Sequence, residues 1–190
     1  MIKNNIEKKF PDLNYEYLCL NKIPRLRILF PKYNFNNIIE NNKRFLLESF
    51  SKTKIIYWAV SFFSNNSKKI NKKNYNNIYS AWLYWILDKW EFHINHIEER
   101  FFLHTYFLEL DINDIIYLSE ITIASNHINW EKSNIPYIDW LFTYFFDLNS
   151  NFIVNVYWFE WIDICSYNKN LLLDFKEKNN NYFKVLDDAI

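Results

Sequence analysis

The chain has 190 residues and no glycine, so its turns must be built without the residue that adopts positive φ most easily. Asparagine and aspartate tolerate the left-handed region next best, and we expect them at these positions. Asparagines are concentrated between apolar segments, for example at 65–66, 76–77 and 149–151. The lack of glycine also excludes glycine-rich phosphate loops and dinucleotide-binding fingerprints.

Half of the residues are hydrophobic and 21% are aromatic, which is enough apolar surface for a substantial core. A chain of this length forms one domain by default, so we predict a single domain over residues 1–190. No apolar run approaches the roughly 20 residues of a membrane-spanning helix. The N-terminus lacks the apolar segment of a signal peptide, and Cys19 and Cys165 make no disulfide framework. We therefore expect a cytoplasmic protein that does not associate with membranes.

Hydrophobic periodicity predicts an irregular alternation of strands and helices. Residues 25–30 alternate Arg25 and Arg27 with Leu26 and Ile28, which is typical of a half-buried strand. The predicted strands cover 25–30, 54–63, 101–110, 139–148 and 152–164, and the predicted helices cover 2–10, 35–50, 77–91, 112–125 and 169–186. Residues 64–77 are predicted to be a flexible polar stretch. The order indicates an α+β fold, with helices packed on one face of a largely antiparallel sheet.

The clearest local unit is a hairpin of two aromatic strands, 139–148 and 152–164, joined by 149–151. A three-residue loop with asparagine in the left-handed region suits a bulged hairpin. The resulting register pairs Phe146 with Val154, Tyr144 with Val156 and Phe142 with Trp158.

The end of the second strand is the predicted partner-binding site. Strict alternation would place three aromatic side chains and one acid on a single face of the strand. A further glutamate lies between two of these aromatic residues in the sequence. Aromatic residues with interspersed acids are typical of protein-binding hot spots, although ordinary core under a helix is the other interpretation. The predicted residues are Tyr157, Phe159, Glu160, Trp161 and Asp163.

The remaining groups of polar residues favour ordinary structural roles. On a helix, His93, His96 and Glu99 would share a face that suits zinc, but no further ligand follows, so we predict no metal. Cys165 with Asp163 and either His104 or His127 could form a nucleophile and base, but a small buried cysteine is the commoner situation. The lysine cluster at 68–73 could contact phosphates, although a solvated loop explains it better.

The C-terminal third contains the segments 143–147, 149–157, Asp163, 168–172 and 175–178. Together with 10–11, 25–30 and 112–117 upstream, they resemble the bacterial family described as domain of unknown function 3885. The resemblance implies one domain over nearly the whole chain, and it brings in a suggested link to prophages and DNA binding. The family typically has Asp-Asp-Arg-Gly where this chain has Trp158-Phe159-Glu160-Trp161, so any chemistry of that turn is in doubt here.

Charge divides the chain into two opposite halves. Residues 1–100 hold 17 Lys and Arg against 9 Asp and Glu, a net charge of +8. Residues 101–190 hold 5 against 13, a net charge of −8. The halves either neutralise each other within one domain or steer a charged partner.

No complete catalytic motif is present, so the sequence favours a binding protein over an enzyme and predicts no cofactor. The most concrete interpretation is an immunity or antitoxin-type inhibitor whose acidic, aromatic C-terminal half occludes a basic toxin domain. The alternative is a nucleic-acid-associated protein of prophage type, in which the basic N-terminal half would contact the nucleic acid. An unrecognised enzyme is a third class.

Overall fold

The computed structural model describes residues 1–13, 23–29, 35–64, 91–98, 101–112, 139–158, 161–179 and 184–187. These residues contain three helices: α1 (Ile2–Lys9), α2 (Phe35–Ser49) and α3 (Lys169–Asn179). They also contain eight strands, which are β1 (Arg25–Leu29), β2 (Ile56–Ser64), β3 (Glu91–Glu98), β4 (Phe101–Leu110), β5 (Asp139–Asp147), β6 (Phe152–Trp158), β7 (Trp161–Ser166) and β8 (Lys184–Asp187). No helix in these ranges is long and apolar enough to cross a membrane.

The eight strands form one sheet in the order β3-β4-β2-β5-β6-β7-β1-β8. Every observed strand pairing is antiparallel. Strand β1, from the start of the chain, lies between β7 and β8 from its end. The basic and acidic halves therefore share one sheet, and the prediction of an α+β fold with a largely antiparallel sheet is confirmed.

The helices pack on both faces of the sheet. Successive side chains of a strand point to opposite faces, so Tyr144 and Phe146 mark one face and Phe145 and Asp147 the other. We call these the Tyr144 face and the Phe145 face. Helix α1 covers the Tyr144 face, where its residue Ile6 and the following Phe10 join the same buried cluster as Tyr144 and Phe146.

The end of α2 and the length of α3 cover the Phe145 face instead. Phe50 lies 6.2 Å from Phe145 between ring centroids, and Phe175 of α3 lies 5.5 Å from Phe152. The expectation of helices on one face is therefore wrong. The physical reason is that β5 is apolar on both sides, with Tyr144, Phe145 and Phe146 all fully buried, so both of its faces need a cover.

Several predicted elements are confirmed within a few residues of their expected bounds. The patterns at 2–10 and 35–50 form α1 and α2, and those at 25–30, 54–63 and 101–110 form β1, β2 and β4. In β1, Leu26 and Ile28 are buried between half-buried neighbours, as alternation predicts. The predicted flexible stretch at 64–77 and the helices at 77–91 and 112–125 lie outside the described residues except at their ends, where Ser64 closes β2 and Glu91 opens β3.

Two predicted elements in the C-terminal half are wrong. The long strand at 152–164 is two strands, because the chain reverses between Trp158 and Trp161, which pair with each other. No Gly, Pro or Asn marks this reversal, so unbroken aromatic alternation concealed it. The predicted helix at 169–186 ends at Asn179, and 184–187 form β8, which pairs with the backbone of β1 that would otherwise be an open sheet edge.

The β5–β6 hairpin exists, but its register differs by one residue from the prediction. Asp147 pairs with Phe152, so Phe146 faces Ile153 and Phe145 faces Val154. The loop has four residues because the Asp147 carboxylate organises it. Its Oδ1 accepts hydrogen bonds from the backbone N–H groups of Asn149 and Ser150 at 2.8 and 2.9 Å. Aspartate stabilises turns in this way.

Asn151 closes the turn with φ of 56° and is the one described residue with positive φ. This confirms the expectation for Asn151, while Asn149 in the same loop lacks positive φ and the asparagines at 65–66 and 76–77 lie outside the described residues. Replacing Asn151 with alanine should lower the free energy of unfolding by about 1 kcal/mol, because a Cβ atom without a local polar partner is disfavoured there. Urea unfolding followed by circular dichroism measures this change.

Two matched variants control the Asn151 prediction. Asn151→Gly should match or slightly exceed the stability of the unmodified protein, since glycine tolerates positive φ. Asn149→Ala, in the same loop but without positive φ, should change stability by less than about 0.5 kcal/mol. Equal losses at Asn149 and Asn151 would contradict a conformational cause.

Candidate functional site

A cleft of about 280 Å³ opens on the Phe145 face between the end of α2, α3 and the tip of the β5–β6 hairpin. Helix α2 contributes Phe45 and Glu48 to its walls, and α3 contributes Asp174 and Phe175. The hairpin contributes the carboxylate of Asp147, which is 2% exposed and which we call the bottom of the cleft. An aromatic wall and a buried carboxylate thus share one concave site.

The end of α2 is shaped by serine hydroxyls that bond to its last carbonyl groups. The Ser49 hydroxyl donates to the Phe45 carbonyl at 2.7 Å, and the Ser51 hydroxyl donates to the Glu48 carbonyl at 2.9 Å. The hydroxyls add a donor to carbonyl groups in the last turn of the helix, and the Glu48 carbonyl also accepts from the Ser51 N–H at 3.4 Å. The chain then turns, and Thr53 reaches the hairpin tip.

The start of α3 is fixed to the same hairpin. The Asn168 side-chain oxygen accepts hydrogen bonds from the N–H groups of Asn170 and Leu171, at 3.1 and 3.4 Å, and caps the helix. The Ser166 hydroxyl accepts from the Asn168 N–H at 3.0 Å and donates to the Asn151 carbonyl at 2.7 Å. The wall and the bottom of the cleft are therefore joined through Ser166.

Asp147 is the best-anchored group of the cleft. Its side chain is 2% exposed, and its Oδ2 accepts a 2.6 Å hydrogen bond from the Thr53 hydroxyl. With the two loop N–H groups on Oδ1, the carboxylate has three neutral donors, while an ionised carboxylate offers about four acceptor positions. Hydrogen bonds of this kind are what makes the burial of a carboxylate tolerable. No described cation pairs with it.

Three phenylalanine rings form the apolar wall, those of Phe45, Phe152 and Phe175, and a fourth ring, that of Phe50, packs on Phe152 without lining the cleft. Ring centroids lie 6.5 Å apart for Phe45 and Phe175, 5.5 Å for Phe152 and Phe175, and 4.9 Å for Phe50 and Phe152. These separations are typical of packed aromatic pairs. Because Phe175 contacts rings from both α2 and the hairpin, its position in the wall is fixed from two sides.

The rim carries exposed charges of both signs. Glu48, Lys52, Asp174 and Lys178 all line the opening and are exposed. Among the described residues, none of these four side chains forms an ion pair. Two positive and two negative charges cancel, so Asp147 leaves the cleft with one net negative charge.

Of the predicted partner-binding residues, Asp163 alone has a described side chain, and it is not part of this cleft. Asp163 is fully buried. It lies on the opposite face, the Tyr144 face, because it pairs with Asn155, which pairs with Tyr144. Tyr157 and Trp161 belong to the ends of β6 and β7, and their side chains lie outside the described residues. Phe159 and Glu160 lie outside them entirely. The binding role of this set stays a prediction.

Asp163 has an internal partner in β1. Its Oδ1 accepts from Arg27 Nε at 2.8 Å and its Oδ2 accepts from Arg27 Nη2 at 3.0 Å, while Arg25 Nη1 lies 3.8 Å from Oδ2. This two-pronged geometry is the strong form of an arginine–carboxylate pair. It joins the basic half of the chain to the acidic half inside the sheet.

The structure separates the groups of the cysteine alternative. Cys165 is buried on the Tyr144 face, where burial and the nearby Asp163 raise the pKa of its thiol well above its ordinary value. Leu108 pairs with Trp58, and Trp58 pairs with Phe145, so Leu108 lies on the Phe145 face. His104 lies on the same face because it is four residues from Leu108 in the same strand. The sheet therefore lies between Cys165 and His104. His127 lies outside the described residues.

The histidines considered for zinc lie in a strand and not in a helix. Both belong to β3, and the side chain of His96 and the whole of Glu99 lie outside the described residues. His93 Nε2 lies 2.8 Å from Glu91 Oε1. Burial alone would raise the pKa of Glu91, but hydrogen bonds from His93 and from the Ile2 and Lys3 backbone lower it below its ordinary value. The described residues contain no group of three or more metal-ligating side chains.

Sequence reasoning missed the cleft because its parts are distant in the chain. Thr53 and Asp147 are 94 positions apart, and nothing in the local pattern relates them. One signal was present: aspartate immediately before a polar, asparagine-rich loop is typical of a side chain that bonds to the turn.

No protein-family model matches this chain, and no curated protein and no solved structure shows significant similarity to it. The fold and the cleft define a single-sheet α+β protein with an anchored carboxylate in an aromatic cleft.

Replacing Thr53 with valine should lower the free energy of unfolding by about 2 kcal/mol. The methyl group has nearly the volume of the hydroxyl, but Asp147 Oδ2 then lacks its donor in a buried position. Chemical unfolding measures the loss, and Thr53→Ser, which keeps the hydroxyl, should lose clearly less. A valine variant as stable as the unmodified protein would show that this hydrogen bond is dispensable.

Replacing Arg27 with methionine should cost about 3 kcal/mol, at the lower end for a broken buried pair because Arg25 remains near Asp163. The same charge change at exposed Lys54, Lys54→Met, should stay within about 0.5 kcal/mol. Thermal and urea unfolding of both variants give the comparison. Similar effects at the two positions would mean that net charge, and not the Asp163 pair, is responsible.

Proposed function

We propose that this chain is a binding protein of the immunity or antitoxin type, an inhibitor that occludes a toxic effector protein. The observation that supports it best is the cleft on the Phe145 face, which combines an apolar aromatic wall, a buried polar anchor and a charged rim. Binding hot spots have this composition, with a pocket at the centre and polar residues around it.

The size of the cleft favours a protein partner over a cofactor. Pockets for drug-sized ligands and cofactors measure roughly 300–1,000 Å³. At about 280 Å³, this cleft is just below that range and suits one or two side chains projecting from a partner. An inhibitor needs such an anchor point and no catalytic group of its own.

The rigidity of the cleft supports the same proposal. Its bottom is held by Thr53, Asn149 and Ser150, and its wall is tied to the hairpin through Ser166. A surface that is ordered before binding loses less conformational entropy when the partner docks. Affinity then depends mainly on the contacts that form.

Charge adds a reason to expect a basic partner. The acidic half of the chain, residues 101–190, supplies eight of the fourteen residues that line the cleft, from the β5–β6 hairpin and α3. Negative surfaces accelerate encounter with positive partners and suppress binding of negative ones. A basic toxin domain acting in the cytoplasm is the partner that this arrangement suits.

The alternative, a nucleic-acid-associated protein, rests on the basic N-terminal half. Of its arginines, Arg25 and Arg27 face Asp163 inside the sheet, which weakens this alternative. The lysine cluster at 68–73 lies outside the described residues. The resemblance to the domain of unknown function 3885 also remains a prediction, and no step of the proposal depends on it.

The test is co-expression with the product of the adjacent upstream gene, followed by calorimetric titration. We expect a one-to-one complex with a nanomolar dissociation constant. Leu171→Glu, which places a charge in the cleft wall, should weaken binding about 10-fold or more, or ~1.4 kcal/mol. Circular dichroism establishes that each variant remains folded.

A matched variant lies two positions further along the same helix. Leu173 is exposed and does not line the cleft, so Leu173→Glu should change the dissociation constant by less than about threefold. Equal weakening by both variants would argue against the cleft as the binding surface. Absence of any complex, together with binding of random duplex that falls steeply with salt, would favour the nucleic-acid alternative.

A further inference from the structure

The two buried carboxylates of the described sheet differ in what compensates their charge. Asp163, on the Tyr144 face, is paired with Arg27 and lies near Arg25. Asp147, on the Phe145 face, receives only neutral donors from Thr53, Asn149 and Ser150. Hydrogen bonds orient Asp147, but its unit of negative charge is not cancelled by any described cation.

The position of Asp147 makes that charge effective. Exposed charges on the rim are screened by water and salt, whereas a buried charge acts through a medium of lower dielectric constant. The charges of the two rim lysines and the two rim acids sum to zero. A ligand group that enters the cleft therefore meets a net negative potential that increases toward the bottom.

The wall beside Asp147 selects the shape of that ligand group. Phe152 pairs with Asp147 across the hairpin, and the ring of Phe175 packs on that of Phe152. Aromatic faces attract cations, and they also cover the apolar stem of a long basic side chain. A planar guanidinium can stack on such a wall and still donate to a carboxylate.

We propose that the cleft is a receptor for one arginine side chain of the partner protein, with the guanidinium donating to Asp147 and the stem lying against Phe152 and Phe175. This rests on the proposed function and names the group that the inhibitor would capture. An ionised carboxylate has about four acceptor positions, and the three internal donors of Asp147 occupy three of them.

Other occupants fit less well. An anionic group would approach a buried carboxylate, and its desolvation would not be compensated. A hard divalent cation needs six or more oxygen ligands, and the described residues contain no group of three metal-ligating side chains. A lysine ammonium would satisfy the charge, but it lacks the planar surface that can stack on Phe175.

The closing experiment measures the site without the partner. Nα-acetyl-arginine methylamide is titrated into the full chain while the backbone amide resonances of Asn149 and Ser150 are followed, because both amides bond to Asp147. We expect saturable shifts at these two amides, with a dissociation constant in the millimolar range, as is typical of a single small group. The citrulline analogue has the same shape without the charge and should shift them at least fivefold less.

Two variants change the affinity for arginine in opposite directions. Asp147→Asn keeps an acceptor for the turn and should weaken binding of the arginine probe at least 10-fold. Lys178→Met removes an exposed rim cation and should strengthen binding two- to threefold without disturbing a buried residue. If Asp147→Asn does not fold, the Lys178 variant and the citrulline comparison still test the proposal.

The outcomes separate the site from the function. Equal shifts from arginine and citrulline, or none from arginine, would overturn the arginine site, as would stronger binding of the lysine analogue. Partner binding that is unchanged in Lys178→Met and in folded Asp147→Asn would also overturn it and leave the inhibitor proposal standing. Arginine binding without any partner complex would support the site and remove the inhibitor.

Discussion

The arrangement of the Phe145 face depends on one buried carboxylate and the donors that it requires. Asp147 ends β5 at a point where the chain must turn without glycine, and its side chain supplies the turn by bonding to two loop N–H groups. Its remaining oxygen needs a donor, and Thr53 provides it from the segment after α2. This bond joins the segment after α2 to the hairpin, where Phe50 also packs on Phe145 and Phe152, and an unsatisfied buried carboxylate would be costly.

The same hairpin also positions α3. Asn151, the residue with positive φ, presents its carbonyl to Ser166, and Ser166 in turn bonds to the residue that caps α3. The wall of the cleft is thus built on a turn whose conformation was constrained by the absence of glycine. A binding surface supported in this way is ordered before a partner arrives.

Local features were the most predictable part of the fold. Helix α1 and strand β1 follow from short patterns bounded by proline, and β4 follows from a long β-forming run. The errors arose where pairing partners decide the outcome. Residues 184–187 carry a weak local preference, but the open edge of β1 provides a partner that makes them a strand. The reversal between Trp158 and Trp161 was hidden because the aromatic and β-branched residues on either side of it suit a strand.

The candidate site also has a part that local sequence predicts and a part that depends on distant partners. The role of aspartate before an asparagine-rich loop has a local cause and could be recognised, as could asparagine at a left-handed position. The placement of Asp163 could not, because alternation gives the face of a residue and not whether Arg27, 136 positions away, will cover it.

The sequence by itself determined the class of fold, the bounds of its clearest elements and the chemistry of its turns, because these depend on neighbours within a few residues. Only the tertiary structure decided that both sheet faces are covered and that Thr53 meets Asp147. It also decided that one buried acid is neutralised while the other faces an open cleft. Such outcomes depend on which distant groups satisfy a buried charge, and local patterns do not encode that choice.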